Sequence, residues 1–379
     1  MTTESTPALI TDAESLRALG NRMAGASRVA LDTEAASFHR YVDRLYLLQL
    51  SSDHETALVD PLAVSDLAPV GALLSSPEVE VIIHDADYDL RILHRDYGFT
   101  ARRVWDTRVA AALAGEGAVG LSALLERHFG IRLSKQFQRA DWSQRPLTAA
   151  MIAYAAADTA HLTTLRDLLA ERLARLGRSH WAEEEFARLE RVRWAPRAPE
   201  GHEFLMIRGA GSLRPPQLAV LRRLWEWRDS RAREVDRAPF RVVGNEVLLA
   251  LARESPMTAD ALGRLRGVPP SITQRYGAQL VREVRAARGL PESQWPTVER
   301  RRRERPDPML EERLVRLKAL RARRAPEVGL EPGLVCANAV LTAIARAAPK
   351  DASALDAIPD LRRWQREVLR DEHLLRAVQ

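Results

Sequence analysis

The chain has 379 residues, 46% of them hydrophobic and 28% charged, with a formal net charge of +6 and a sequence pI near 9.9. That is chain enough for two or three domains, in the composition of a soluble globular protein, which excludes a low-complexity or disordered class. A single cysteine, Cys336, excludes an internal disulfide and a cysteine metal cluster. No run approaches the ~18 apolar residues of a membrane span, and residues 1–7 lack the basic region and apolar core of a signal peptide. A cytoplasmic protein is expected.

Thr11-Asp-Ala-Glu14 reads as a capping box and predicts a helix through Met23. Three strands follow over residues 29–34, 45–51 and 56–60, joined by links short enough to make this part of the sheet antiparallel. Pro61 stops the third strand, and a helix over 65–74 leads to a fourth strand at 79–83. Helices are expected over 87–97, 107–114 and 121–129, then a polar segment at 134–146 and one long helix from 148 to 176. Strands first and helices around them describe an α/β domain over residues 1–195.

Pro196, Pro199, Pro215 and Pro216, with Gly201, Gly209 and Gly211, mark a connection centred on 196–211. Beyond it the pattern is helical and repeats. An ungapped shift of 93 residues lays Arg228 on Arg321, Glu234-Val235 on Glu327-Val328, Pro239 on Pro332, Asn245 on Asn338 and Val247-Leu248 on Val340-Leu341. Asn, Pro and Val take part, so a shared Ala/Arg/Leu composition does not account for the matches. The tail is therefore two copies of one small helical module, 212–292 and 308–379. Between them, 293–307 carries the run Arg300–Arg303, which reads as a solvated charged linker.

The chemistry lies in the acids. Side chains alternate along a strand, so Asp32 and Glu34 point the same way and Thr33 the other. Tyr154 and Asp158, four apart in a helical stretch, share a face. Carboxylates gathered without a basic partner repel one another, and a shared cation is the simplest remedy. Phosphodiester hydrolysis needs a deprotonated water and a neutralised leaving oxygen, which two divalent ions supply, and Mg²⁺ takes carboxylate and water ligands. Each position also has a plainer reading. Asp-x-Glu is ordinary at a strand end; in His84-Asp-Ala-Asp-Tyr-Asp89, Asp85 can cap a helix while the others are solvated; Tyr154 can pack on the sheet; Asp106 can be another N-cap.

In order and surroundings these residues resemble the DEDD exonuclease superfamily, and within it the ribonuclease D family. The resemblance is carried by Leu31-Asp-Thr-Glu34, Leu47-Leu-Gln-Leu50, His84-Asp-Ala-Asp-Tyr-Asp-Leu90 and Trp105-Asp-Thr107. It continues in Lys135-Gln-Phe-Gln-Arg-Ala-Asp-Trp142, Arg145-Pro-Leu147 and Tyr154-Ala-Ala-Ala-Asp-Thr159, spanning about residues 10–180. The repeated tail resembles the HRDC domain, through Trp225-Glu-Trp-Arg228 and Asn245-Glu-Val-Leu248 in its first copy. The resemblance implies a ribonuclease-H-like α/β domain, a mixed sheet with its first three strands antiparallel, followed by two all-α HRDC bundles. It implies Asp32, Glu34, Asp89 and Asp158 as metal-binding acids and Tyr154 as the residue that positions the attacking water. The activity implied is 3′→5′ hydrolysis of RNA to nucleoside 5′-monophosphates with two Mg²⁺ or Mn²⁺ ions; a monomer trimming structured RNA such as tRNA precursors is expected.

Lys135, Gln138, Arg145 and Arg228 are expected RNA contacts. All the basic residues but Lys135, Lys318 and Lys350 are arginines, whose fork suits phosphate, although a GC-rich genome produces the same bias. Two other functions remain in view. One is a DNA-directed exonuclease of the same superfamily. The other is a non-catalytic RNA-binding scaffold, which predicts an alteration in at least one of the five key positions; none is altered.

Overall fold

The computed structural model describes residues 7–196, 201–297 and 307–379. The arginine run 300–303 and Pro199 lie outside the described residues. The chain forms two compact units, one drawn from residues 1–35, 45–195 and 303–379, the other from 36–44 and 196–302.

The first unit is built on a six-stranded mixed sheet. Its strands are β1 (Ala8–Ile10), β2 (Arg28–Ala35), β3 (Leu45–Ser51), β4 (Thr56–Val59), β5 (Glu80–Ile83) and β6 (Val104–Asp106), in the order β1-β4-β3-β2-β5-β6. The pairs β2–β3 and β3–β4 are antiparallel; β1–β4, β2–β5 and β5–β6 are parallel. The three strands expected to run antiparallel do so, as β2, β3 and β4. The three-residue edge strands β1 and β6 were not anticipated, being too short to show any periodicity.

Around the sheet lie α1 (Ala13–Ala24), α2 (Ala68–Ser75), α3 (Asp87–Tyr97), α4 (Thr107–Leu113), α5 (Leu121–Phe129), α6 (Ala149–Ala160), α7 (Leu162–Arg175) and α8 (Ser179–Leu189). α1 starts on Asp12, whose carboxylate accepts Ser15 N at 2.8 Å and the Ser15 hydroxyl at 2.7 Å, rather than on the Thr11–Glu14 box. The expected long helix over 148–176 is two helices, interrupted at His161. Alternation divides the sheet's two faces. Val29, Leu31, Leu48, Leu50, Val59 and Val81 share a core with Leu16 and Leu19 of α1 and with Leu90 and Leu93 of α3. Ala30 and Ile82 look the other way and pack with Leu165 and Leu169 of α7.

The repeat expected from the sequence reappears element by element. In the second unit the first copy holds α9 (Pro215–Glu234), α10 (Pro239–Val242), α11 (Asn245–Glu254), α12 (Ala259–Gly263) and α13 (Pro270–Arg288). The second copy, in the first unit, holds α14 (Pro308–Glu327), α15 (Pro332–Val335), α16 (Asn338–Ala347), α17 (Ala352–Asp356), α18 (Arg363–Leu369) and α19 (Asp371–Val378). Where α13 runs unbroken, its counterpart splits at Arg370, which has φ +63°. α18 packs on α8: the Trp181 and Trp364 rings stack at 5.2 Å, Trp364 Nε1 donates to Glu185 and Trp181 Nε1 to Glu367. The Glu184 carboxylate accepts the Arg363 and Trp364 amides at 2.8 and 3.1 Å, capping α18 from α8. One hydrophobic core therefore runs from Leu169 and Phe186 into Leu317, Leu341 and Leu374. At the position of Trp364 the first copy has Ser271, which is exposed.

In the second unit, residues 36–44, the segment directly after β2, are bound to the first copy. Tyr41 donates its hydroxyl to Asp229 at 2.9 Å, Arg241 donates to Phe38 O at 2.6 Å, and the Phe38 and Phe240 rings meet edge to face at 5.0 Å.

Candidate active site

β2 carries Asp32 and Glu34 on the face that α6 covers. β5 pairs with β2 only as far as Ala30↔Ile82, while β3 continues alongside with Asp32↔Gln49 and Glu34↔Leu47. Past Ala30 one edge of β2 is thus unpaired, which gives two carboxylates room at a strand end. From above comes α6, opened by Thr148, whose hydroxyl accepts Met151 N. One carboxylate oxygen from each of Asp32, Glu34 and Asp158 lies within 4.8 Å of the others.

Among the described residues, none of these acids is paired with a basic side chain, and the electrostatics follow. Burial, then the charges of Asp89, Glu34 and Asp158, push the Asp32 carboxyl well above the usual carboxylate range. Burial, then Asp158 and Asp89, do the same to Glu34. Burial raises Asp158 to about 7. An all-oxygen, carboxylate donor set that is costly to ionise without a counter-charge suits a hard divalent cation.

Asp89 arrives from the other side. Thr33, facing away from Asp32 and Glu34, donates its hydroxyl to Asp89 Oδ1 at 2.5 Å. Asp89 is 5% exposed and its carboxyl is raised to about 7, burial being the main cause. It lies outside the three-carboxylate group, yet its charge still raises Asp32. α3 is held in place by Asp106, which accepts Ala86 N at 2.9 Å and Asp85 N at 3.2 Å while capping α4 through Arg108 N and Val109 N. The expected N-cap at Asp106 thus also fixes the turn from which Asp89 projects. Asp85 adopts φ +67° there, and Asp87 is exposed in an ion pair with Arg91.

Tyr154 is half-buried, with Phe137 edge-on at 5.8 Å and Trp142 tilted at 6.1 Å. Burial, then the charges of Asp158, Glu34 and Asp32, raise its pKa, so the hydroxyl stays protonated. Beside Tyr154 and Asp158 is a cleft of about 340 Å³ walled by Ala150, Ala153, Phe137 and Gln136.

The four residues expected to contact RNA separate into two kinds. Lys135 and Gln138 are exposed in the turn that borders this cleft. Arg145 is engaged within the fold. It chelates Asp60 through Nε at 2.6 Å and Nη2 at 2.7 Å, and its other donors reach the Trp142, Gln144 and Tyr46 carbonyls. Arg228 is 5% exposed and donates to Asn245 Oδ1 at 2.7 Å and Val243 O at 3.1 Å. The second copy repeats that latch, with Arg321 donating to Asn338 Oδ1 at 3.0 Å and to Cys336 O. Both arginines hold loops in place, and the matching Arg and Asn of the repeat are explained by this bond. Thr33 and Gln49 join the site without having stood among the candidate site residues. Gln49 was detectable as the lone amide in an apolar strand, directly across from Asp32.

Residues 7–174 match the family described as 3'-5' exonuclease, and residues 217–284 and 311–377 each match the HRDC domain. Ribonuclease D of Gluconacetobacter diazotrophicus is 36% identical over 372 residues, covering 97% of this chain and 92% of that one. Ribonuclease D of Escherichia coli is 32% identical over 76% of both chains. The crystal structure of Escherichia coli RNase D, described as an exoribonuclease involved in structured RNA processing, superposes with a TM-score of 0.72 at 28% identity, over 99% of each chain. A structure from Bifidobacterium adolescentis superposes with a TM-score of 0.81 at 25% identity, covering 99% of this chain and 98% of that one. The chain belongs to the ribonuclease D family and is a 3′→5′ exoribonuclease with two HRDC domains.

Proposed function

We propose that Asp32, Glu34 and Asp158 hold one divalent ion and that Asp89, sharing Asp32, completes the site for a second, with Mg²⁺ or Mn²⁺ in both. The observation that carries this reading is the trio of carboxylate oxygens within 4.8 Å, without a basic partner among the described residues. When bound, such ions supply an activated water and neutralise the leaving oxygen. The chain's own residues do the rest. Thr33 fixes the rotamer of Asp89. Tyr154, kept protonated, donates its hydroxyl toward the attacking water and the scissile phosphate. Phe137 and the alanine face of α6 give the terminal nucleotide an apolar wall beside Asp158. Hydrolysis at this position releases nucleoside 5′-monophosphates one at a time from the RNA 3′ end.

The substrates proposed are structured RNAs, tRNA precursors among them, with Lys135 and Gln138 at the cleft border and the first HRDC copy extending the contact to backbone phosphates. The protein acts as a monomer in a reducing cytoplasm, consistent with its one cysteine being a buried free thiol. Matched RNA and DNA strands, labelled at either end and incubated with and without EDTA, test the scheme. Mononucleotide release from the RNA 3′ end that EDTA stops is expected. EDTA-resistant cleavage, or equal turnover of DNA, refutes it.

A further inference from the structure

Gln49 sits in the middle of β3, in a run whose other residues are Leu45, Tyr46, Leu47, Leu48, Leu50 and Ser51, and is 0% exposed. Among the described residues neither its Nε2 nor its Oε1 has a hydrogen-bond partner. A buried amide with both ends unpaired destabilises a fold relative to an apolar side chain of the same size. Its location suggests what it serves. In an antiparallel ladder directly opposed residues project to the same face with Cβ atoms ~5 Å apart, and Gln49 is directly opposed to Asp32. It therefore projects between the sheet and α6, on the face that carries Asp32 and Glu34, whereas Leu48 and Leu50 enter the opposite core.

We infer that Gln49 is a positioning residue of the metal site, donating Nε2–H to the Asp32 carboxylate when a divalent ion draws that carboxylate into its bound orientation. Oε1 is left to accept a hydrogen bond from water at the site. A carboxamide suits this place because it orients a carboxylate without adding a fifth negative charge to a group already costly to ionise. Outer partners of this kind change metal affinity roughly 10- to 100-fold. The inference rests on the metal-site reading above, and its test separates the two.

The experiment titrates the metal-stripped full chain with Mn²⁺ alone, following free Mn²⁺ by electron paramagnetic resonance, and records thermal denaturation without metal. Gln49→Met is expected to weaken Mn²⁺ binding about 10- to 100-fold while leaving the metal-free melting temperature unchanged or higher, because the orphaned amide is gone. Gln49→Glu, which keeps the shape but adds charge and loses the donor, is expected to bind Mn²⁺ no better than Gln49→Met. Wild-type Mn²⁺ affinity in Gln49→Met overturns the inference, since an amide satisfied by ordinary water would behave that way. Asp158→Asn is the control. If it too binds Mn²⁺ like the wild type, the metal site itself is refuted; if it alone loses binding, only the role of Gln49 is.

Discussion

Asp158 offers the sharpest test of the electrostatics, because its charge is opposed by burial and offset by no basic side chain among the described residues. Its carboxyl titrates near 7 in the folded protein against an ordinary value of 3.8. The folded state therefore holds this proton more tightly than the unfolded state, so metal-free stability falls as pH rises from about 4 to about 7. The interval corresponds to about 4 kcal/mol at full ionisation, a ceiling for one carboxylate. Replacing it by the neutral, nearly isosteric Asn removes that penalty. Asp158→Asn should then stabilise the metal-free protein at pH 8 by up to about 4 kcal/mol, roughly 3 kcal/mol more than at pH 5, where the wild-type group is already protonated when folded. At roughly 2–4 °C per kcal/mol the melting temperature at pH 8 rises by up to roughly 8–16 °C. The assay is thermal denaturation in EDTA at pH 5 and pH 8, repeated with Mg²⁺ at pH 8. Mg²⁺ should raise the wild-type transition and leave that of the variant in place, with cleavage abolished. A variant no more stable than wild type at pH 8, or equally shifted at both pH values, would mean that Asp158 has a partner compensating its charge, and the metal argument would lose its basis.

Tyr154→Phe keeps the ring contacts with Phe137 and Trp142, so it should lower kcat by at least tenfold with RNA affinity within about twofold; parallel losses in both would assign Tyr154 to packing. Arg145→Ala leaves the buried Asp60 carboxylate unpaired and should cost about 3–5 kcal/mol in urea denaturation. Intact stability with weakened RNA binding would restore Arg145 as an RNA contact. Trp364→Ala removes the ring stacked on Trp181 and should lower the stability of the nuclease unit by about 3–5 kcal/mol. A separate, independently shifted transition for residues 308–379 would disprove the shared core.

What the sequence disclosed was local. Asp32 and Glu34 share a face because a strand alternates, Tyr154 and Asp158 because a helix turns every 3.6 residues, and Asp106 caps because its carboxylate lies two residues before the amide it accepts. What it concealed depends on partners distant in the chain. Arg145 looked available for phosphate because Asp60 is 85 residues away. Arg228 looked the same because its latch closes on a side chain in another helix. β1 pairs with β4 across an intervening hairpin, and three residues carry no period to announce it. Asp89 was selected by its motif, but the hydroxyl that holds it comes from Thr33, which no spacing rule would single out. The break at His161 is equally invisible, since apolar residues continue on both sides of it.

The contrast between Trp364 and Ser271 bears on how duplicated modules divide their labour. One copy carries an aromatic where the other has a hydroxyl, and the copy with the aromatic is packed into the core of the sheet domain. The Trp364 side of α18 is occupied by α8, where its ring stacks on Trp181, while Ser271, at the matching place on α13, is exposed to solvent. Two HRDC copies in one chain are therefore not two equivalent exposed faces. In this protein the second copy of the tandem repeat is a buttress of the sheet domain, its core continuous with that of α7 and α8.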